Sequence, residues 1–238
     1  MLVFVLDLDG TVVGNISHQI LLHEICKITK KKFNLVEFRQ KLAKVILRPH
    51  VIDFLKRSNS EFFIYSAGSR TWVEFIIKQI EIVAKMKFNR PLFTRDECLT
   101  DYKKCLTSIL PKIDKVLKKK YNQTFTPLII DNNDVYIDNS NLLLCSTYDG
   151  YFAENLPSII DISLYKKYYK EINRLLKTYL NIDIDTNNYK HFQYIYYTKY
   201  IQLLKAKKSN DTFFYKLERN LRNITEFNKD TISKIRHF

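Results

Sequence analysis

No stretch limits the fold of this chain as much as its opening, Met1-Leu-Val-Phe-Val-Leu-Asp-Leu-Asp-Gly-Thr-Val-Val-Gly14. The apolar run Leu2 to Leu6 has the length and composition of a buried strand, and it ends abruptly in two aspartates one residue apart, then Gly10 and Thr11. Asp and Gly are ordinary turn residues, so a bare Asp-x-Asp says little. An Asp-x-Asp-Gly-Thr placed directly after five apolar residues says more, because a turn there can aim both carboxylates at one point.

Three further segments carry strand character: Phe62 to Tyr65, Pro127 to Ile130 and Leu142 to Cys145. Helical spacing separates them, in Trp72, Phe75, Ile76, Ile80 and Val83 and again in Leu106, Ile109, Ile113 and Val116. Strands alternating with helices predict an α/β fold around a central parallel sheet flanked by helices. Ligands bind beyond the carboxyl ends of such strands, so the polar residues that close the first three, Asp7, Ser66 and Asp131, are expected to share one crevice. Asn34 and Glu37 have the spacing of a capping box, which makes residues 16–46 a helical insertion. The expected division is a core over residues 1–160 and a helical extension over 161–238, with Lys166 to Leu180 as an amphipathic helix. No Gly/Ser-rich linker and no internal repeat interrupts the chain.

The residue types at these strand ends suit phosphoryl transfer. Asp7 can attack phosphorus and hold a magnesium ion, a hard cation that takes oxygen ligands. Asp9 can protonate the leaving oxygen and later deprotonate water, with the Thr11 hydroxyl orienting it. A serine hydroxyl and a lysine ammonium would stabilise charge on the equatorial oxygens.

Taken in order, these segments resemble a known family. "VFVLDLDGTVV" resembles the first motif of the haloacid dehalogenase-like phosphohydrolases, whose fold is Rossmann-like. "LRPHVIDFLKRSNSEFFIYSAGS" is similar to the second-motif region of the phosphatases acting on the carboxy-terminal domain of RNA polymerase II, the FCP/SCP or NIF-like family. "TDYKKCL" and "LIIDNND" resemble the third and fourth motifs. The resemblance implies a Mg2+ cofactor, with Asp7, Asp9, Asp131 and Asn132 around it. It also places Ser66, Ala67 and Lys104 against the phosphoryl group, Lys103 being the rival for the lysine and Asp134 or Asp138 for the acid. Arg48 has a structural role in this reading. Residues 16–46 read as helices where family members usually have β-structure, and that layout is more like members encoded by large DNA viruses. The short segments between motifs leave no room for a large cap.

Charge bears on partners. With 39 Lys+Arg against 25 Asp+Glu the formal net charge is +14, which favours acidic partners. From Asp161 onward 16 basic residues face 8 acidic ones, and 10 of the 16 tyrosines lie there. Interleaved aromatic and basic residues allow a nucleic-acid or other acidic partner on this extension, although tyrosines on helices more commonly pack, and loss of residues 183–238 is expected to spare turnover of a small aryl phosphate. Four scattered cysteines form no CxxC pair and read as reduced thiols, and no apolar run is long enough to span a membrane or act as a signal peptide. An intracellular setting follows as the expectation: nucleus, cytoplasm, virus-infected cell or virion. The expected function is a magnesium-dependent phosphatase acting on a phosphorylated protein or peptide through an aspartyl-phosphate on Asp7. The alternatives are a polynucleotide 3′-phosphatase and a scaffold that keeps the fold without turnover.

Overall fold

Strand β1, Leu2–Leu6, is buried along its whole length and lies inside a four-stranded parallel sheet. β2 (Glu61–Ile64) pairs with one of its edges and β3 (Thr126–Asp131) with the other, and β4 (Leu142–Leu144) extends the sheet beyond β3. Register aligns Leu6 with Ile64 and with Ile130, so three strands end level. The α/β fold with a helix-flanked parallel sheet expected from the sequence is present. The computed structural model describes residues 1–100, 102–121, 124–138, 141–150, 152, 154–204 and 211–222, the side chains of 200–204 excepted. The helical expectation for residues 205–210 and 223–238 lies outside them.

Alternation along β1 decides what covers each face. Val3 and Val5 join Phe63, Ile129 and the buried side of α5 (Leu106–Lys120), where Ile109, Ile113 and Leu117 recur at helical spacing. Phe4 points the other way, edge-on to Phe54 of α3 (Val51–Arg57) at 5.1 Å and stacked on Phe62 at 5.3 Å. Phe54 in turn meets Phe214 of a helix near the chain end, Phe213–Leu221, at 5.1 Å. Between β2 and α5 runs α4, Arg70–Ala84, which buries Val73, Ile76, Ile77 and Ile80; of the expected face Ile76 and Ile80 are buried, whereas Trp72, Phe75 and Val83 are half-buried because the buried stripe is turned toward Val73 and Ile77.

Two compact units are distinguished: residues 1–14, 47–149 and the chain from 210 onward, and residues 15–46 with 150–209. In the second unit, α1 (Ser17–Thr29) packs on Ile162–Leu180, with Leu21 and Ile25 against Tyr165, Ile172 and Leu176. Helix Leu35–Lys41 opens on Asn34, whose side chain accepts from the Glu37 amide at 3.2 Å. The reciprocal arm of the expected capping box is replaced by an Asn34 amide donating to Glu37 Oε2 at 3.3 Å. Tyrosines 165 and 189 and Phe192 of helix Tyr189–Leu204 form a ring cluster, as packing aromatics do.

Candidate active site

The turn after β1 is built by the backbone. Val12 and Val13 amides return to the Leu8 carbonyl at 2.9 Å each, and the Gly10 amide donates to the Val13 carbonyl at 2.7 Å. Gly10 takes a positive φ of 80°, and a Cβ there would lie 2.7 Å from Nδ2 of Asn132. Both the dihedral and the close approach demand glycine. The turn thereby presents Asp7 and Asp9 to the residues that leave β2 and β3.

A cleft of about 340 Å³ opens at these ends, lined by Asp7, Asp9, Ser66, Ala67, Gly68, Lys104 and Asp131, with Arg95, Tyr102, Asn133 and Val135 completing its wall. Lys104 is 2% exposed and joins two carboxylates, donating to Asp7 Oδ1 at 2.6 Å and to Asp131 Oδ2 at 2.7 Å. The rings of Tyr65 and Tyr136 flank its ammonium, each centroid 5.6 Å away. Burial alone would lower the Lys104 pKa, but the charges of Asp7 and Asp131 outweigh it and hold the group cationic above its ordinary range. Asp131 is pushed up to about 6 by burial and by the Asp7 charge, against the pull of Lys104. Its second oxygen accepts from the Asn133 amide at 2.8 Å, so both of its oxygens are engaged.

Asp9 stands at the mouth of the cleft, open to solvent yet close to the cleft walls. Desolvation by those walls, and then the neighbouring Asp7 charge, push its carboxyl up to about 6, while Lys104 and a hydrogen bond from Ser66 pull it back. Ser66 is buried, and its Oγ accepts from the Gly68 amide at 3.0 Å.

Three aspartates face the Lys104 ammonium and the Arg95 guanidinium of the wall, an acidic balance that disfavours a phosphate unless a cation enters with it. One terminus of the Asn132 amide lies 3.0 Å from the Asp9 main-chain oxygen and 3.3 Å from Asp7 Oδ2. With nitrogen there, it donates to both. With oxygen there, accepting from Thr11 Oγ1 at 3.1 Å, three oxygens face one another. Octahedral ligation at 2.0–2.1 Å sets neighbouring oxygens about 2.9 Å apart, close to both separations. A carboxylate, a main-chain carbonyl and an amide thus fit a magnesium ion. Among the described residues no group of three or more His, Cys, Asp and Glu side chains is arranged to hold a metal, and this mixed donor set accounts for that.

Of the residues expected at the site, Asp7, Asp9, Ser66, Ala67, Lys104 and Asp131 line the cleft, and Asn132 touches it from the turn side. Thr11, expected to orient Asp9, serves Asn132 instead: its hydroxyl accepts from the Asn132 amide at 3.0 Å. Lys103 is exposed and lies outside the lining residues. Asp138 holds the start of α5, accepting from the Leu106 and Thr107 amides at 2.8 Å each. Arg95 and Tyr102 escaped the sequence reading. The Arg95 guanidinium donates to the Ala67 carbonyl at 2.9 Å and lies 5.1 Å from the Tyr102 ring centroid. Tyr102 lies within the third-motif segment, which assigns it no role, and Arg95 reaches the cleft wall through its bond to the Ala67 carbonyl.

A parallel sheet with acidic turns after β1 and β3 and a buried lysine between them is the arrangement that the resemblance to haloacid dehalogenase-like phosphatases implies. Residues 2–160 match the model of the NLI interacting factor-like phosphatase family, and the chain belongs to that family. An arginine-to-alanine variant of fission yeast RNA polymerase II CTD phosphatase Fcp1, bound to beryllium fluoride, is similar in fold: TM-score 0.54, 16% identity, covering 99% of this chain and 67% of that one. A second structure, of Fcp1 described as an essential RNA polymerase II CTD phosphatase, has TM-score 0.49 and 18% identity, with 93% of this chain and 61% of that one covered. This chain therefore spans about two thirds or less of the structures it matches. No curated protein matches it significantly. The likeness to virus-encoded members finds no support among these matches. Among the described residues no helix is long and apolar enough to cross a membrane.

Proposed function

We propose that the chain is a magnesium-dependent phosphatase that removes phosphate from serine or threonine side chains of a protein through an aspartyl-phosphate on Asp7. The observation that carries this reading is the convergence of Asp7, Asp9 and Lys104 on one cleft, with the Asn132 amide 3.0 Å from the Asp9 main-chain oxygen and 3.3 Å from Asp7 Oδ2. Asp7 Oδ2, the Asp9 main-chain oxygen and Asn132 Oδ1 would hold the ion, which supplies positive charge to the phosphoryl oxygens. Lys104 orients Asp7 by its 2.6 Å bond, and two of its three N–H groups are used by carboxylates, leaving one for a phosphoryl oxygen. Ser66, 1% exposed at the end of β2, offers a hydroxyl to the same group.

In the first step an Asp7 oxygen forms the bond to phosphorus as the bond to the leaving oxygen breaks, and Asp9 gives that oxygen its proton. In the second, Asp9 takes a proton from water as the water oxygen attacks phosphorus, freeing inorganic phosphate and the Asp7 carboxylate. A carboxyl held near 6 can carry a proton in one step and accept one in the next at neutral pH. Asp131 keeps Lys104 in place. The exposed Arg95 and Tyr102 at the rim suit an extended chain flanking the phosphorylated residue.

The test is phosphate release from an aryl phosphate, phosphopeptides and 3′-phosphorylated DNA, with and without magnesium. Magnesium-dependent release from the aryl phosphate and a phosphopeptide, lost in Asp7→Asn, supports the proposal. Release from the DNA alone would move the substrate to nucleic acid, and phosphopeptide binding without any turnover would make the chain a binding scaffold.

A further inference from the structure

Arg48 is among the largest fully buried side chains, and all five of its N–H groups have acceptors. Nε donates to Asp211 Oδ1 at 3.0 Å and one Nη2 hydrogen to Asp211 Oδ2 at 2.7 Å, a bidentate pair. The remaining donors reach Ser146 Oγ at 3.2 Å, Cys145 Sγ at 3.0 Å and the Thr11 carbonyl at 3.4 Å. The Arg48 amide also donates to the Val12 carbonyl at 3.0 Å, and the guanidinium lies 4.8 Å from the Phe213 ring centroid. One buried cation therefore ties together the turn after β1, the segment after β4 and Asp211, two residues before Phe213–Leu221.

Of the groups that Arg48 holds, Thr11 touches the oxygen triad directly and Cys145 touches the strand end that carries Asn132. Thr11 bonds Asn132 through both its hydroxyl and the Asn132 amide, and the Cys145 amide donates to the Asp131 carbonyl at 2.9 Å. Asp211 is 163 residues from Arg48 in sequence, with its side chain 7% exposed. A buried guanidinium deprived of its counter-ion is costly unless it draws in water or turns toward another acceptor, and the Thr11 carbonyl is one of the groups such a turn would release.

We propose that the Arg48–Asp211 pair is a positioning device for the magnesium-binding turn, so that a residue from the end of the chain sets the cation affinity of a site built from its beginning. The inference rests on the proposed magnesium-dependent function. Asp211 acts through Arg48 and Thr11 and touches neither ion nor substrate. Contacts made directly to a ligand typically change metal affinity by about 10- to 100-fold, and Thr11, which Arg48 holds by its carbonyl, is such a contact of Asn132.

The experiment compares full-length wild type, Asp211→Asn and Leu217→Ala by calorimetric magnesium titration, alongside magnesium-dependent turnover of an aryl phosphate. Leu217 is buried in the same helix, which Asp211 precedes, and its aliphatic side chain offers Arg48 no acceptor, so Leu217→Ala reports simple loosening of that helix. The expected result is an affinity weakened about tenfold or more in Asp211→Asn, with kcat largely recovered at saturating magnesium, and unchanged affinity in Leu217→Ala. Wild-type magnesium affinity in a folded Asp211→Asn, or equal weakening in both variants, overturns the positioning role. A wild type that binds no magnesium overturns both this inference and the proposed function. If Asp211→Asn does not fold, Asp211→Glu, which keeps the charge and shifts the fork, is titrated with the same two deciding outcomes.

Discussion

At the scale of single residues, the carboxylates and the glycine make separable predictions. Asp7→Asn is expected to reduce turnover of an aryl phosphate by about 10³-fold or more, since the nucleophile is lost. In the first step, followed as the single-turnover burst of leaving-group release, Asp9→Asn should be milder with an aryl leaving group, which departs without a proton, than with a phosphoserine peptide, which needs one; equal losses of that step on both substrates would remove Asp9 from the acid role. Gly10→Ala meets a φ of 80° and an Asn132 nitrogen 2.7 Å from the new Cβ, so it should cost about 1–3 kcal/mol in urea unfolding and weaken magnesium binding. The sequence carried much of this in Asp7, Asp9 and Gly10, because a strand end and its turn are local. It carried Thr11 as a hydroxyl orienting Asp9, its neighbour in the turn. Its actual partner, Asn132, lies 121 residues away, and nothing in local spacing tells which of two nearby groups a buried hydroxyl will meet.

At the scale of elements, the strands and α4 and α5 followed apolar spacing closely, with ends displaced by about a residue, because burial against a sheet imposes the period that the sequence displays. The start of α5 depends on more than spacing. Asp138 supplies its first two amides with acceptors from outside the helix and sits one residue beyond Ile137, whose amide bonds the Lys104 carbonyl at 3.1 Å. Asp138→Ala is therefore expected to destabilise by about 1–2 kcal/mol, measured by urea unfolding. Helix α1 holds a pH-sensitive point in the second unit. His18 is buried, its Nδ1 accepts from the Glu154 amide at 3.2 Å, and the Tyr196 hydroxyl lies 3.4 Å away. The Glu154 carboxylate pairs with Lys41 at 2.7 Å, and burial lowers the His18 pKa from 6.5 to about 4. The unfolded chain takes up a proton below 6.5 that the folded chain refuses until about pH 4. Stability is thus lost as pH falls through that window, by up to about 3 kcal/mol. His18→Gln, followed by urea unfolding at pH 7 and pH 5, should flatten that dependence; an unchanged slope would assign it elsewhere.

At the scale of the whole molecule, chain order and spatial grouping differ. Residues 16–46, legible as helices, share a unit with 150–209, and the chain from 210 returns to the unit that carries the cleft. Hydrophobic period reveals that a segment is helical but not which sheet face or helix it covers, so neither grouping could be read from the sequence. Arg48 and Asp211 show why: a buried ion pair between distant segments leaves no periodic trace. Ending the chain before Asp211 is accordingly expected to abolish turnover of even a small aryl phosphate, or the fold of the first unit. Turnover at the full-length rate would restore the expectation that the extension is dispensable.

The central claim is that phosphate passes through Asp7. Its most direct measurement is mass spectrometry of Asp9→Asn quenched in acid during turnover of an aryl phosphate with magnesium. An aryl group leaves unaided, whereas water still needs a base, so the variant is expected to accumulate one phosphoryl group on the peptide containing Asp7, labile to mild alkali and absent when Asp7 is also changed to Asn. Turnover with no phosphoryl group on that peptide, persisting in Asp7→Asn, would contradict it.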